Sequence, residues 1–171
     1  MSLPAIKNPR KAFNFIITFT GLANIPPFGV QECTLPDSDI EEVLHGFGNT
    51  ELKTAGIVKT GTLKIGRIIS LDPASILANE NEEIFLWHMR AQNAYSQVGG
   101  DPDAYKRAVI IEELDNSGFG LGVPTVVATY TCLGAWPRLI NGRSYKRGES
   151  ANVMENVEFA VDYLIPGVPG N

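Results

Sequence analysis

Cysteine is nearly absent: among 171 residues only Cys33 and Cys132 occur, and their spacing fits neither a disulfide framework nor a paired metal knuckle. The expectation is two small buried thiols in a reducing compartment. Histidine is equally scarce, and His45 and His88 stand at no chelating distance in sequence from each other or from either cysteine. No metal site is expected. Basic charge is short as well, with 14 Lys and Arg against 19 Asp and Glu and a net charge of −5. Affinity for nucleic acid phosphates takes a concentrated basic excess, so DNA is expected to pass this protein without sticking. Long apolar runs are missing too, since none approaches the ~20 residues that cross a bilayer. Met1 to Lys11 carries Pro4, Pro9, Lys7, Arg10 and Lys11 and lacks the apolar centre of a signal peptide. A cytoplasmic site of synthesis follows as the expectation.

Catalytic and cofactor motifs are wanting, so the chain is read as a non-enzyme. The pairs Glu41-Glu42 and Glu112-Glu113 fall on strands, where successive side chains point to opposite faces and cannot share an acid/base site. Gly118-Phe119-Gly120-Leu121-Gly122 has neither the spacing nor the following helix of a phosphate cradle. Ser144 sits in Asn-Gly-Arg-Ser-Tyr, a turn rather than a nucleophile elbow. The basic group Arg138, Arg143, Lys146 and Arg147 reads as a solvated loop or an ion-pair surface between subunits.

What the chain has in quantity is strand signal. Its length fits one domain, and 44% hydrophobic residues supply a core. From Asn152 to Leu164 the sequence alternates, with Val153, Val157, Phe159, Val161, Tyr163 and Ile165 set against Asn156, Glu158 and Asp162, and Glu155 as the one lapse. The opening strand repeats this, with Phe13, Phe15, Ile17 and Phe19 against Asn14, Thr18 and Thr20. Further strands are expected at 28–34, 39–45, 61–72, 105–115 and 125–134, with turns at Asp115 to Gly118 and Asn141-Gly142. About seven strands with hairpin connections predict an antiparallel β-barrel or sandwich. One helix interrupts them. Asn79 can cap it, Ile84, Trp87, Ala91, Ala94 and Tyr95 give it an apolar face, and Gly99-Gly100 stops it. It should flank the barrel with Trp87 turned in. Gly46 to Gly61 is too long for a plain connection and is read as a functional loop, with residues 1–11 and 166–171 as Pro- and Gly-rich arms.

The order of these features resembles the tail tube protein family of contractile-tailed bacteriophages, which is related to the tube proteins of type VI secretion and contractile injection systems. Four stretches carry the resemblance: Phe15 to Leu22 followed by Phe28 to Leu35; Gly56 to Ile65; the helix with Leu86-Trp87; and Ala135-Trp136-Pro137 followed by the strand from Asn152 to Leu164. It implies a β-barrel of two packed sheets with a flanking helix, forming hexameric rings that stack into a hollow conduit for DNA. It further implies a virion tail location after synthesis in a bacterial cytoplasm, with the sheath, the baseplate hub and a tape-measure protein as partners. In such a tube a polar strand face would line an acidic bore, which makes Asn156, Glu158 and Asp162, with Glu112, its candidates. The segment from Gly46 to Gly61 becomes the candidate ring-stacking loop, through Lys53, Gly56, Ile57, Val58 and Lys59. A tube protein of a contractile injection or type VI-like system is the alternative within the family. A small-molecule-binding barrel of the lipocalin kind is the alternative from another class; the bulky inward set Phe13, Phe15, Phe19, Phe159 and Tyr163 argues against it.

Overall fold

Alternation along the chain becomes a dry and a wet face on strands such as the first and the one that begins at Met154. A computed structural model describes residues 15–22, 30–47, 50–68, 80–92, 99–114, 125–141 and 154–167. In chain order the elements are β1 (Phe15–Phe19), β2 (Val30–Thr34), β3 (Ser38–Phe47), β4 (Thr50–Thr60), β5 (Thr62–Ile68), α1 (Glu80–Ala91), α2 (Pro102–Tyr105), β6 (Arg107–Leu114), β7 (Val126–Ile140), β8 (Met154–Ala160) and β9 (Tyr163–Pro166). The strands run β1-β6-β7-β8-β5-β2, with β9 also paired to β7, while β3 and β4 form a separate two-stranded sheet. All pairings are antiparallel.

One strand belongs to both halves of the larger sheet. The first part of β7 lies between β6 and β9, and its last part, from Trp136 to Ile140, pairs with β8. The change of partner follows Gly134, whose φ of 65° is a left-handed conformation that L side chains rarely adopt. A Cβ there would also collide with the Asp162 carboxylate. Gly134→Ala is therefore expected to lower stability by about 1–2 kcal/mol from the backbone alone. A urea unfolding curve measures this as a lower midpoint at unchanged slope.

The core fills the space between the two halves. Ile17 and Phe19 of β1 face Ile111 and Val109 of β6, and Leu63 and Ile65 of β5 face Phe159 and Val157 of β8; all eight are buried. Helix α1 closes the core with Ile84 and Trp87, both almost fully buried. The Trp87 ring lies 6.3 Å from that of Phe19 and 5.4 Å from that of Phe159, and the latter two are 5.8 Å apart. Such tilted and edge-on pairs add to the burial term. The Trp87 indole N–H donates to the Tyr105 carbonyl at the end of α2. Arg107 lays its guanidinium 5.8 Å from the Trp87 ring centre and donates from Nη1 to the Thr20 and Gly21 carbonyls. His88 bonds the Pro137 carbonyl at 2.7 Å, tying the helix to β7 where proline offers no N–H for pairing.

Several expectations need correction. The segment from Gly46 to Gly61 is not a loop: β4 occupies most of it and pairs with β3. The strand expected from Asn152 to Leu164 is two strands, because the chain turns a corner at Val161 and Asp162, where the Asp162 N–H bonds the Leu133 carbonyl. The corner resets the phase, so Tyr163 is 68% exposed and fills no interior, and Ile165 is exposed as well. Glu155 keeps the place the alternation gives it, a polar residue on the dry face in phase with Val157 and Phe159, and is 4% exposed. Asn141 does not turn the chain: Ile140 pairs with Val157 and the Asn141 N–H bonds the Asn156 carbonyl, while Gly142 lies outside the described residues. Among the described residues there are nine strands, where about seven were expected. Phe13, Asn79, Ala94, Tyr95, Gly118 to Gly122, Arg143 to Arg147 and both arms apart from Pro166 and Gly167 lie outside the described residues.

Candidate functional site

Two surfaces gather the residues that sequence reasoning singled out. The first is the hairpin β3-β4, where Asp39 pairs with Lys59, Ile40 with Val58, Val43 with Thr54, Leu44 with Lys53 and His45 with Leu52. Between Ile40 and Glu42 the register slips, leaving Gly56 and Ile57 opposite Glu41 alone. This is a β-bulge, and Gly56 sits where a Cβ would come within 2.8 Å of the Glu41 carbonyl. Ion pairs brace both faces: Lys53 to Glu42 at 2.7 Å and Lys59 to Glu41 at 3.2 Å. The His45 ring bonds the Thr54 hydroxyl at 2.9 Å. Glu41 and Glu42 thus serve different partners, as opposite strand faces require.

The hairpin is long and uncovered. Ile57 is 72% exposed, and Ile40, Leu44, Leu52 and Val58 are each more than half exposed. A two-stranded ribbon without a third strand or a covering layer is marginal in water, and its outer edges leave backbone N–H and C=O groups open. Strand burial, the usual payoff for apolar residues at these positions, is missing from the subunit by itself.

The second surface is the wet face of β2, β5 and β8. Thr34, Lys64 and Glu158 stand in one row across the three strands, and Glu32, Gly66 and Asn156 in the next. Together with Asn141 they line a groove of about 240 Å³. Arg138 reaches in from β7 and bonds Glu158 at 2.7 Å. The structure therefore brings Asn156 and Glu158 together and separates the other two acidic candidates. Asp162 is at the β8-β9 corner, paired with Lys106 at 2.6 Å. Their hydrogen bond is the main cause holding the Lys106 ammonium above its usual range. Glu112 lies on β6, opposite Ile16 and Thr129. The groove is charge-balanced rather than acidic, since Lys64 and Arg138 offset Glu32 and Glu158. Arg138 was placed only in a basic group by sequence; its pairing to Glu158 depends on a bulge in β7 that no local pattern announces.

The thiols sit apart from both surfaces. Cys132 is fully buried on β7 and Cys33 packs against the core from β2. Burial pushes Cys33 up to about 12, with the nearby Cys132 adding to the shift, and pushes Cys132 up to about 11. The folded thiols keep their protons above the usual value near 9, whereas unfolded ones release them there. This stability is fully present below pH 9 and is lost as pH rises toward 11–12. Native protein at pH 8 is expected to react with an aromatic disulfide reagent at a few per cent of the rate of urea-unfolded protein, and its thermal midpoint to fall steadily above pH 9. Among the described residues no group of three His, Cys, Asp or Glu side chains is arranged to hold a metal ion, and no helix is long and apolar enough to cross a membrane.

Neither a family model nor a curated protein matches the chain by sequence. Solved structures do match by shape. The tube-terminating cap of the anti-feeding prophage superposes with a TM-score of 0.71 over 96% of this chain and 95% of that one, at 11% identity. The sheath/tube terminator of an extracellular contractile injection system in its extended state gives 0.70 over 96% and 100%, at 13% identity. The fold is that of contractile injection system tubes and their terminators. A chain of an extracellular contractile injection system's sheath-tube complex in the extended state superposes as well, with a TM-score of 0.65 over 96% and 95% at 16% identity.

Proposed function

We propose that the chain is a structural subunit of a contractile injection apparatus or contractile phage tail, built to form hexameric rings that stack as the inner tube. The observation that carries this reading is the hairpin β3-β4, whose strands of 10 and 11 residues expose apolar side chains on both faces. A neighbouring copy would cover them, and Lys53, Gly56, Ile57, Val58 and Lys59 are then ring-to-ring contacts on a strand instead of a loop. The groove over β2, β5 and β8 is the candidate bore wall, with Asn156 and Glu158 in it. Its compensated charges offer a passing polyanion no deep well, as a conduit for DNA or for a secreted protein requires. Sheath, baseplate hub and tape-measure protein enter as partners through the fold's known settings.

A second reading has its own support. The two terminator structures superpose with TM-scores of 0.71 and 0.70 against 0.65 for the sheath-tube complex, which favours a ring that closes the tube. A ligand-binding barrel finds no support, since Phe19, Trp87 and Phe159 occupy the interior. Negative-stain microscopy of the concentrated protein separates these readings. Stacked rings fit a tube subunit and single rings a terminator, while a protein that stays monomeric at millimolar concentration would sink both.

A further inference from the structure

The hairpin leaves the sandwich through a short neck. Strand β4 passes into β5 through Gly61 alone, and β2 passes into β3 through Leu35, Pro36 and Asp37. The Gly61 N–H bonds the Asp37 carbonyl at 2.7 Å and closes the neck, and a Cβ on Gly61 would approach the Asp37 nitrogen to 3.0 Å. This bond, like the ion pairs further out, joins one hairpin strand to the other. None of them sets the angle between hairpin and sandwich.

Thr60 makes a different contact. Its hydroxyl donates at 3.0 Å to the carbonyl of Asp162, a residue 102 positions away on the sandwich. The acceptor is held still: the Asp162 N–H bonds the Leu133 carbonyl at 3.1 Å, and its carboxylate is paired with Lys106 and packed into the space left by Gly134. Resting on the reading of the hairpin as the assembly element, we propose that Thr60 is a positioning residue that fixes the hairpin's exit angle and so presets the subunit for ring contacts. Leverage makes one bond at the root matter. An 11-residue strand is about 35 Å long at ~3.3 Å per residue, so a swing of about 10° at the neck moves the tip by about 6 Å. Interlocking surfaces tolerate roughly 1 Å. Asp162, a candidate for the bore by sequence, becomes the anchor of this contact.

The test reads the angle in the soluble subunit, apart from assembly. Glu51→Cys on the hairpin and Thr18→Cys on β1 take spin labels in a Cys33→Ser background, both sites being exposed while Cys33 is half-buried and Cys132 buried. Pulsed dipolar spectroscopy on the dilute full-length protein should give a narrow distance distribution with Thr60 present. Thr60→Val keeps the shape and removes the donor; it should at least double the width and raise the concentration needed for rings at least tenfold. Thr60→Ser, which keeps the hydroxyl, should restore both. An unchanged width in Thr60→Val, with the protein folded by its thermal midpoint, overturns the positioning role whatever the rings do. A broadened distribution with ring formation unchanged overturns the hairpin's part in assembly instead.

Discussion

Replacing Ile57 with aspartate is expected to abolish the ring formation proposed for this chain and to leave the subunit folded. Ile57 stands at the bulge of β4 and is the most exposed large hydrophobic residue among those described. Nothing in the subunit depends on it, so the expected change in unfolding free energy is within about 0.5 kcal/mol. In an assembled ring it would be covered, and a carboxylate in a covered apolar contact is destabilising by several kcal/mol unless paired. Sedimentation velocity should show monomer only, at concentrations where the proposed rings of the parent protein are expected, with the thermal midpoint unmoved. Val58→Asp should behave alike, whereas Glu51→Gln should not. Rings of normal yield from Ile57→Asp would remove the hairpin from the assembly contact.

The second large effect is in the core. Trp87→Ala is expected to destabilise by about 3–5 kcal/mol, the range for emptying a buried aromatic site. Beyond the cavity, it removes the partner of Phe19 and Phe159, leaves the Tyr105 carbonyl without its indole donor and takes the ring from under Arg107. For a chain of this size that shifts the thermal midpoint by roughly 6–20 °C. Phe85 is the control: on the same helix and half exposed, it should cost under about 1 kcal/mol when cut to alanine. Equal losses from the two would mean that helix propensity, and not the aromatic cluster, sets the stability.

These two residues also mark where sequence reading succeeds and where it stops. Trp87 was legible because burial imposes a period: Ile84 and Trp87 repeat at helical spacing, just as Ile17 and Phe19 repeat at strand spacing. Ile57 lies in a strand without such a period, since both hairpin faces are wet and neither selects apolar residues at every second position. The bulge at Gly56 shifts the phase once more, and the segment reads as a loop. The same logic explains Tyr163. Its place in the alternation was right locally, but a corner at Asp162 held by contacts to Leu133 and Lys106 turns it outward, and neither contact is near in sequence. Of the bore candidates, Asn156 and Glu158 share a face because they are two apart on one strand. Glu112 could be related to them only through the order of strands in the sheet.

That strand order has a kinetic side. Hairpin β3-β4 closes between near neighbours in the chain, an event on the order of microseconds. Strand β5 must wait for β8, which is synthesised roughly 90 residues later, on the order of 5–20 s at ribosomal speed. During synthesis both hairpin strands are therefore made well before the sandwich that anchors them, and for those seconds their exposed apolar side chains have no finished subunit behind them.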